Sequence, residues 1–267
     1  MPATIDAGEA AGDLVLRVLM ADPTWAAYAL ADLQPAFAPY CRWLTAQAGE
    51  GEGVALHFTL LEPPVLLTAG APDAVAAALA DAELPPEVYV SLREEHVPAV
   101  AAHYADSAER RPMLRMRLAA PDLALGDCIG AVQLRREDAG RVLQLYAHGG
   151  PFCPDAFTPG QMEDGIFFGV EDEHGLLAAA GGTHIVDWTQ GIVAIGNMYT
   201  RPDARRRGYA RTVLAAIVRQ ALAQGAHNVV LNVDRRNAGA QAMYLALGFT
   251  VHTPYVEGIW RKSLETP

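Results

Sequence analysis

Cysteine is scarce: the 267-residue chain holds three, Cys41, Cys128 and Cys153. They are widely separated, with no CxxC pair and no metal-ligand spacing. That excludes a disulfide framework, offers no metal site and fits a reducing compartment. Basic residues are in deficit, 20 Lys and Arg against 31 Asp and Glu, for a formal charge of -11. A broad electrostatic grip on nucleic acid is therefore not expected. No apolar run approaches the roughly 20 residues of a membrane helix. Met1 to Asp13 carries acids where a secretory leader would carry bases. These absences predict a soluble cytoplasmic protein with neither a membrane nor a nucleic-acid partner.

What is present is the material of a core. Hydrophobic residues make up 51% and charged residues 19% of the chain, enough for one large domain or two of ordinary size. From Ile129 onward the pattern is regular. A strand is predicted over Ile129–Leu134, a helix over Glu137–Tyr146, and a proline- and aromatic-rich loop over Gly149–Gly160. Strands follow at Gly165–Val170, Leu176–Val186 and Ile192–Thr200, then a helix over Ala210–Ala223 and a buried strand at Asn228–Val233. A helix over Ala238–Leu247 stops at Gly248, where a last strand begins.

The first half alternates too. Helices are predicted at Leu14–Met20, Trp25–Leu33, Ala74–Ala82 and Glu94–Tyr104. Strands are predicted at Val54–Leu60, Val65–Ala69, Glu87–Ser91 and Met113–Leu118. Pro121, Gly126 and Gly130 punctuate a boundary that divides the chain into 1–125 and 126–267. The run Val90–Glu95 also echoes Val132–Glu137; shared strand-to-helix grammar explains most of it, and a duplication of that segment stays open.

Against the acidic background, one cationic stretch stands out: Arg205-Arg206-Arg207-Gly208-Tyr209-Ala210, between a strand and a helix. Glycine lets the main chain approach a ligand, and the first helical amides lack intrahelical partners. Together with the helix dipole these donors favour an anionic group such as a phosphate. A solvated cationic turn would look the same in isolation.

The surroundings decide between the two. Arg205-x-x-Gly208-x-Ala210 follows Thr200-Arg201-Pro202 and precedes Leu231, Val233, Asn237, Ala240, Tyr244, Gly248 and Phe249. This arrangement resembles the GNAT superfamily of acyl-CoA N-acyltransferases over about Ile192–Val251, with looser similarity back to Ile129. The resemblance implies an α/β fold, a mixed and mostly antiparallel sheet flanked by helices. It also implies acetyl-CoA as cosubstrate, with no metal. The strand before the loop would splay from its parallel neighbour. Met198, Tyr199 and Thr200 would then offer main-chain groups to the pantetheine arm. The amides of Arg206, Arg207, Gly208, Tyr209 and Ala210, flanked by Arg205, would hold the pyrophosphate. Asn237 matches a position that contacts the cofactor arm or caps the helix.

The implied reaction moves an acetyl group from the thioester to an amine by direct attack in a ternary complex. Tyr244 matches the family's general acid, and an amide near Met198 would serve the oxyanion. Asn197 stands where some relatives carry an acid. The base is therefore open among His184, Asp187, Glu163 and a water chain. Arg235 and Arg236 are open between a contact with the 3′-phosphate and surface charge.

In the first half, the corresponding turn would be Leu67-Thr68-Ala69-Gly70-Ala71-Pro72. It has no arginine, and its proline removes an amide donor. A second, degenerate GNAT-like half that binds no coenzyme A is the expectation. The acceptor amine stays unidentified, a homodimer stays open, and a non-catalytic acyl-CoA sensor or structural subunit is the alternative to an enzyme.

Overall fold

The computed structural model describes residues 9–105, 110–119 and 126–262. The proposed boundary at 125/126 abuts the segment 120–125, which lies outside the described residues, as does much of the Met1–Asp13 stretch. The elements in chain order are α1 (Glu9–Ala21), α2 (Ala27–Ala31), β1 (Cys41–Ala48), β2 (Gly51–Phe58), β3 (Val65–Gly70), α3 (Pro72–Ala80), β4 (Glu87–Arg93), α4 (Val97–Ala101) and β5 (Arg111–Leu118). There follow β6 (Ala131–Gln133), α5 (Ala139–Tyr146), α6 (Gln161–Asp164), β7 (Phe167–Glu171), β8 (Leu177–Asp187) and β9 (Ile192–Thr200). Last come α7 (Tyr209–Ala223), β10 (Asn228–Asp234), α8 (Ala238–Ala246) and β11 (Phe249–Arg261). Among the described residues no helix is long and apolar enough to cross a membrane.

Two compact units emerge. One runs to Arg115 and takes up the chain again from His252; the other spans Met116–Val251. The chain thus changes unit within β5 and again within β11, where the sequence placed a single division. The physical reason is strand pairing: Tyr255–Arg261 lie antiparallel to Glu87–Arg93, so the end of β11 completes the first unit's sheet.

In the N-terminal unit the sheet order is β1-β2-β3-β4-β11. The first three strands are antiparallel, and β3 runs parallel to β4. Leu66, Val75, Leu79, Val90, Leu92 and Trp260 form its core with α3 and α4. β1 has no sequence counterpart among the predicted strands. It is an edge strand of half-buried and exposed residues, so its pattern lacks a buried face to betray it.

The C-terminal unit has the order β6-β7-β8-β9-β10. Its strands are antiparallel except for the parallel pair β9/β10. Helical spacing predicts an apolar stripe of Val213, Leu214, Ile217, Val218, Ala221 and Leu222; α7 buries the first five and leaves Leu222 half-buried. α5 buries Val142, Leu145 and Tyr146. The echo between Val90 and Val132 ends at local grammar. Each strand feeds a 3₁₀ turn and a helix, but β4 pairs parallel with β3 whereas β6 pairs antiparallel with β7.

Candidate active site

The parallel pair β9/β10 is joined only from Asn228↔Ile192 to Leu231↔Ile195. Both strands run on, to Thr200 and Asp234, without further pairing to each other. A gap therefore opens along Asn197–Thr200, and the local backbone explains why. On the β8 side the register passes from Gly182↔Gly196 to Ala180↔Tyr199, so Asn197 and Met198 together face Gly181. This two-against-one bulge bends β9 away from its neighbour. Asn197 takes a left-handed conformation, φ 55°, which asparagine tolerates better than most residues. Gly181 makes room for the bulge: a Cβ there would lie 2.1 Å from the Met198 sulfur.

β8 carries a bulge of its own. Thr183 pairs with Ile195 and Ile185 with Ala194, which leaves His184 as the extra residue. The ring of His184 lies over Gly196, where a Cβ would come within 2.3 Å of its Nε2. Nε2 is 3.2 Å from Asn197 Oδ1. Asn197 is buried and donates through Nδ2 to Gln161 Oε1 at 2.9 Å. The Tyr146 hydroxyl donates to the Asn197 carbonyl at 2.6 Å. Gln161 and Tyr146 were not singled out by the sequence. Each meets Asn197 across a long loop of chain, and no local pattern carries that signal.

The strand ends at the cationic turn. Met198 and Thr200 are half-buried and Tyr199 is buried, its hydroxyl donating to Gly149 O at 2.7 Å. Arg205, Arg206, Arg207 and Gly208 are exposed; Tyr209 and Ala210 are half-buried in the first turn of α7. Arg206 (φ 64°) and Gly208 (φ 84°) are both left-handed, which turns the main chain sharply before the helix. No side chain caps α7, and its first turn has no acid. Its leading amides and dipole therefore stay uncompensated beside three guanidinium groups. Arg205 Nε donates to Thr200 O at 3.3 Å, tying the turn to the strand end.

Other cations nearby are committed to carboxylates. Arg201 pairs with Asp172 and Asp203, and Arg236 with Asp234 at 2.6 Å. Asn237 caps α8, its Oδ1 accepting from Ala240 N at 3.2 Å. That is the structural half of the role read for it from the sequence.

Tyr244 projects from α8, the helix that follows β10. It is buried, with its ring centroid 6.1 Å from that of Phe249. Burial pushes its phenol up to about 12, so the hydroxyl keeps its proton at neutral pH. Of the candidate bases, Asp187 and Glu163 are engaged. Asp187 accepts from Thr189 N and Gln190 N, both at 3.0 Å, and Glu163 forms an ion pair with Arg136. Among the described residues no cluster of His, Cys, Asp or Glu could hold a metal ion.

Known proteins share this fold. Residues 146–249 match the model of the acetyltransferase (GNAT) family. A GCN5-related N-acetyltransferase from Kribbella flavida superposes with a TM-score of 0.60 at 19% identity, covering 90% of this chain and 95% of that one. An acetyltransferase from the GNAT family of Colwellia psychrerythraea gives 0.56 at 17% identity, covering 87% and 90%. A GNAT-family protein from Novosphingobium aromaticivorans, assigned only provisionally as an acetyltransferase, gives 0.57 at 21% identity, covering 88% and 96%. At these identities the superpositions speak for the fold alone. Among curated protein sequences none matches this chain. Residues 146–249 are therefore similar to the GNAT acetyltransferase family, within a fold that solved GNAT structures share across most of the chain's length.

Proposed function

We propose that the protein is an acetyl-CoA-dependent N-acetyltransferase acting on a small-molecule or peptide amine. One observation carries the reading: the gap between β9 and β10 opens beside an uncapped helix start flanked by Arg205, Arg206 and Arg207. Main-chain groups of Met198, Tyr199 and Thr200 would hold the pantetheine arm by strand-like hydrogen bonds. The amides from Arg206 to Ala210, with Arg205 beside them, would hold the pyrophosphate. Thioester and amine would meet in a ternary complex, where carbon–nitrogen bond formation accompanies carbon–sulfur cleavage. The Met198 amide would donate to the developing oxyanion. Tyr244 would protonate the departing thiolate.

The 1–125 half would be a partner that binds no cofactor. Its turn into α3 begins with Pro72, has Asp73 in the first helical turn, and spends the Ala71 amide on Glu52 O at 2.8 Å. A site for an anion would need the opposite of each feature. A cytoplasmic location and a homodimer belong to the same proposal. The buried carboxamide of Asn197, where a carboxylate base would serve, favours a second reading: a non-catalytic acyl-CoA-binding sensor.

Thermal unfolding with and without excess acetyl-CoA tests the cofactor site. At about a hundred times its dissociation constant a ligand stabilises the fold by ~2.7 kcal/mol. The native chain should show that shift and Gly208→Glu should lose it, because a carboxylate then stands before the helix amides. An unshifted native chain would remove the reading.

A further inference from the structure

The approach to the cationic turn holds a carboxylate where an anion site would not want one. Asp203 is exposed and stands two residues ahead of Arg205. A free carboxylate there would draw the neighbouring guanidinium groups to itself and repel a pyrophosphate on the same turn. Asp203 instead gives both oxygens to Arg201, Oδ1 accepting from Nε at 2.7 Å and Oδ2 from Nη2 at 3.0 Å. The Arg201 guanidinium holds the Asp203 carboxyl below its ordinary value.

Arg201 is itself held. Its Nη2 also donates to Asp172 Oδ2 at 2.9 Å, and its main-chain N donates to Ala178 O at 2.9 Å. Asp172 is fixed in turn, because Oδ1 accepts from His174 N at 2.9 Å and Leu176 N at 3.0 Å, closing the turn between β7 and β8. α5 fastens the same turn through Arg141, whose Nη2 donates to Gly175 O at 3.1 Å. A line of fixed groups thus runs from a closed hairpin turn, through a guanidinium, to Asp203. Asp203 lies within the 3₁₀ turn Pro202–Ala204 that leads into Arg205, and Ala204 N closes that turn on Arg201 O at 2.9 Å.

We propose that Asp172 and Arg201 are positioning residues for the pyrophosphate of the acyl donor: Asp172 fixes the Arg201 guanidinium, which keeps Asp203 from competing with the pyrophosphate for Arg205, Arg206 and Arg207. The proposal rests on the acyltransferase reading, which gives this turn to the pyrophosphate. Two effects combine. The pair meets the Asp203 charge ahead of the site, and a turn held before the ligand arrives loses less freedom on binding. Neither residue acts on the reacting atoms.

NMR-monitored titration of the full chain with coenzyme A, dephospho-coenzyme A and pantetheine separates this role from general packing. The first two carry the pyrophosphate and the third lacks it. Two variants are compared with the native chain: Arg201→Ala, and Asp172→Asn, whose carboxamide oxygen can still accept from the His174 and Leu176 amides. Each should weaken the two pyrophosphate ligands by roughly tenfold and leave pantetheine unchanged. Arg201→Ala combined with Asp203→Asn removes the freed carboxylate as well, and should bind coenzyme A more tightly than Arg201→Ala alone. Should Arg201→Ala fail to fold, Arg201→Lys replaces it, keeping the charge without the two-point pair.

Unchanged affinity for the pyrophosphate ligands in both single variants, or an equal loss for pantetheine, would overturn the positioning role while the cofactor site stands. A double variant no tighter than Arg201→Ala would overturn it too, because the freed carboxylate would then not be the competitor. A native chain that binds neither coenzyme A nor dephospho-coenzyme A would overturn the acyltransferase reading and this role with it.

Discussion

The two units contain the same device, a parallel strand pair that stops pairing before its strands end, and they use it oppositely. In the C-terminal unit β9 and β10 part after Ile195 and Leu231, and the strand end leads into a cationic turn. In the N-terminal unit β3 and β4 part after Leu67 and Ser91, yet both strands continue, to Gly70 and Arg93. There the protein fills the gap with its own donors. Trp25 Nε1 donates to Thr68 O at 2.8 Å; His96 Nε2 lies 3.1 Å from Gly70 O and its Nδ1 2.8 Å from Thr68 Oγ1. Splaying two strands leaves main-chain groups that need partners. In the N-terminal unit Trp25 and His96 meet that need at Thr68 and Gly70; in the C-terminal unit Tyr146 and Arg205 reach the Asn197 and Thr200 carbonyls, and the proposed reading gives the groups between them to a ligand.

The strongest way to break this comparison is to remove the plug. Trp25 is 1% exposed, and its ring also packs edge-on against Tyr255. Trp25→Ala should cost about 3–5 kcal/mol by chemical denaturation and leave the Thr68 carbonyl without its donor. If plug and ligand site are distinct, the acetyl-CoA shift survives. A second acetyl-CoA site in this variant would show that only the tryptophan kept the N-terminal gap closed.

Tyr244→Phe sharpens the other side. Losing the hydroxyl should reduce kcat by about 10²-fold, measured as thiol release, with cofactor affinity unchanged. A loss of affinity instead would mean that Tyr244 serves the site by packing on Phe249.

The smallest expected effect concerns acid. Among the described residues the two buried histidines, His57 and His96, both belong to the N-terminal unit. Burial, reinforced by the Arg42 charge, pushes His57 down to about 4. The unfolded chain binds its proton near the ordinary value of about 6.5. Stability from this group is therefore complete above 6.5 and is lost as pH falls toward 4. Asp32 works in the reverse sense. Burial raises it to about 7, so its contribution is complete in acid and is lost as pH rises through 7. His57→Leu removes the first contribution and an Nε2 that is buried without a partner. Unfolding midpoints between pH 7 and 4 should then fall less steeply, by on the order of 1 kcal/mol over the interval. An unchanged slope would mean that His57 reaches solvent.

Much of the C-terminal unit was legible because its signals are local. Ile192–Thr200 and Asn228–Asp234 are continuous apolar strands, α7 repeats its apolar stripe at helical spacing, and Gly208 and Gly248 sit where left-handed turns are needed. The pairing of Asn237 with Ala240 was legible too, as a cap three residues from its amide. β1 escaped because an edge strand need not alternate. The return of Tyr255–Arg261 to the first unit escaped because residues that meet across 168 positions of sequence, such as Tyr89 and Glu257 through their side chains, leave no mark in either segment alone.

By itself the sequence determined most of the elements, the acidic balance and the cationic turn, because propensity, periodicity and charge act over a few neighbouring residues. Tertiary structure alone decided that Asn197 is fastened between His184, Gln161 and Tyr146, and that Trp25 and His96 reach the carbonyls of Thr68 and Gly70. Those outcomes depend on which distant donor reaches an unpaired carbonyl or amide first. A chain can specify such a meeting only by folding.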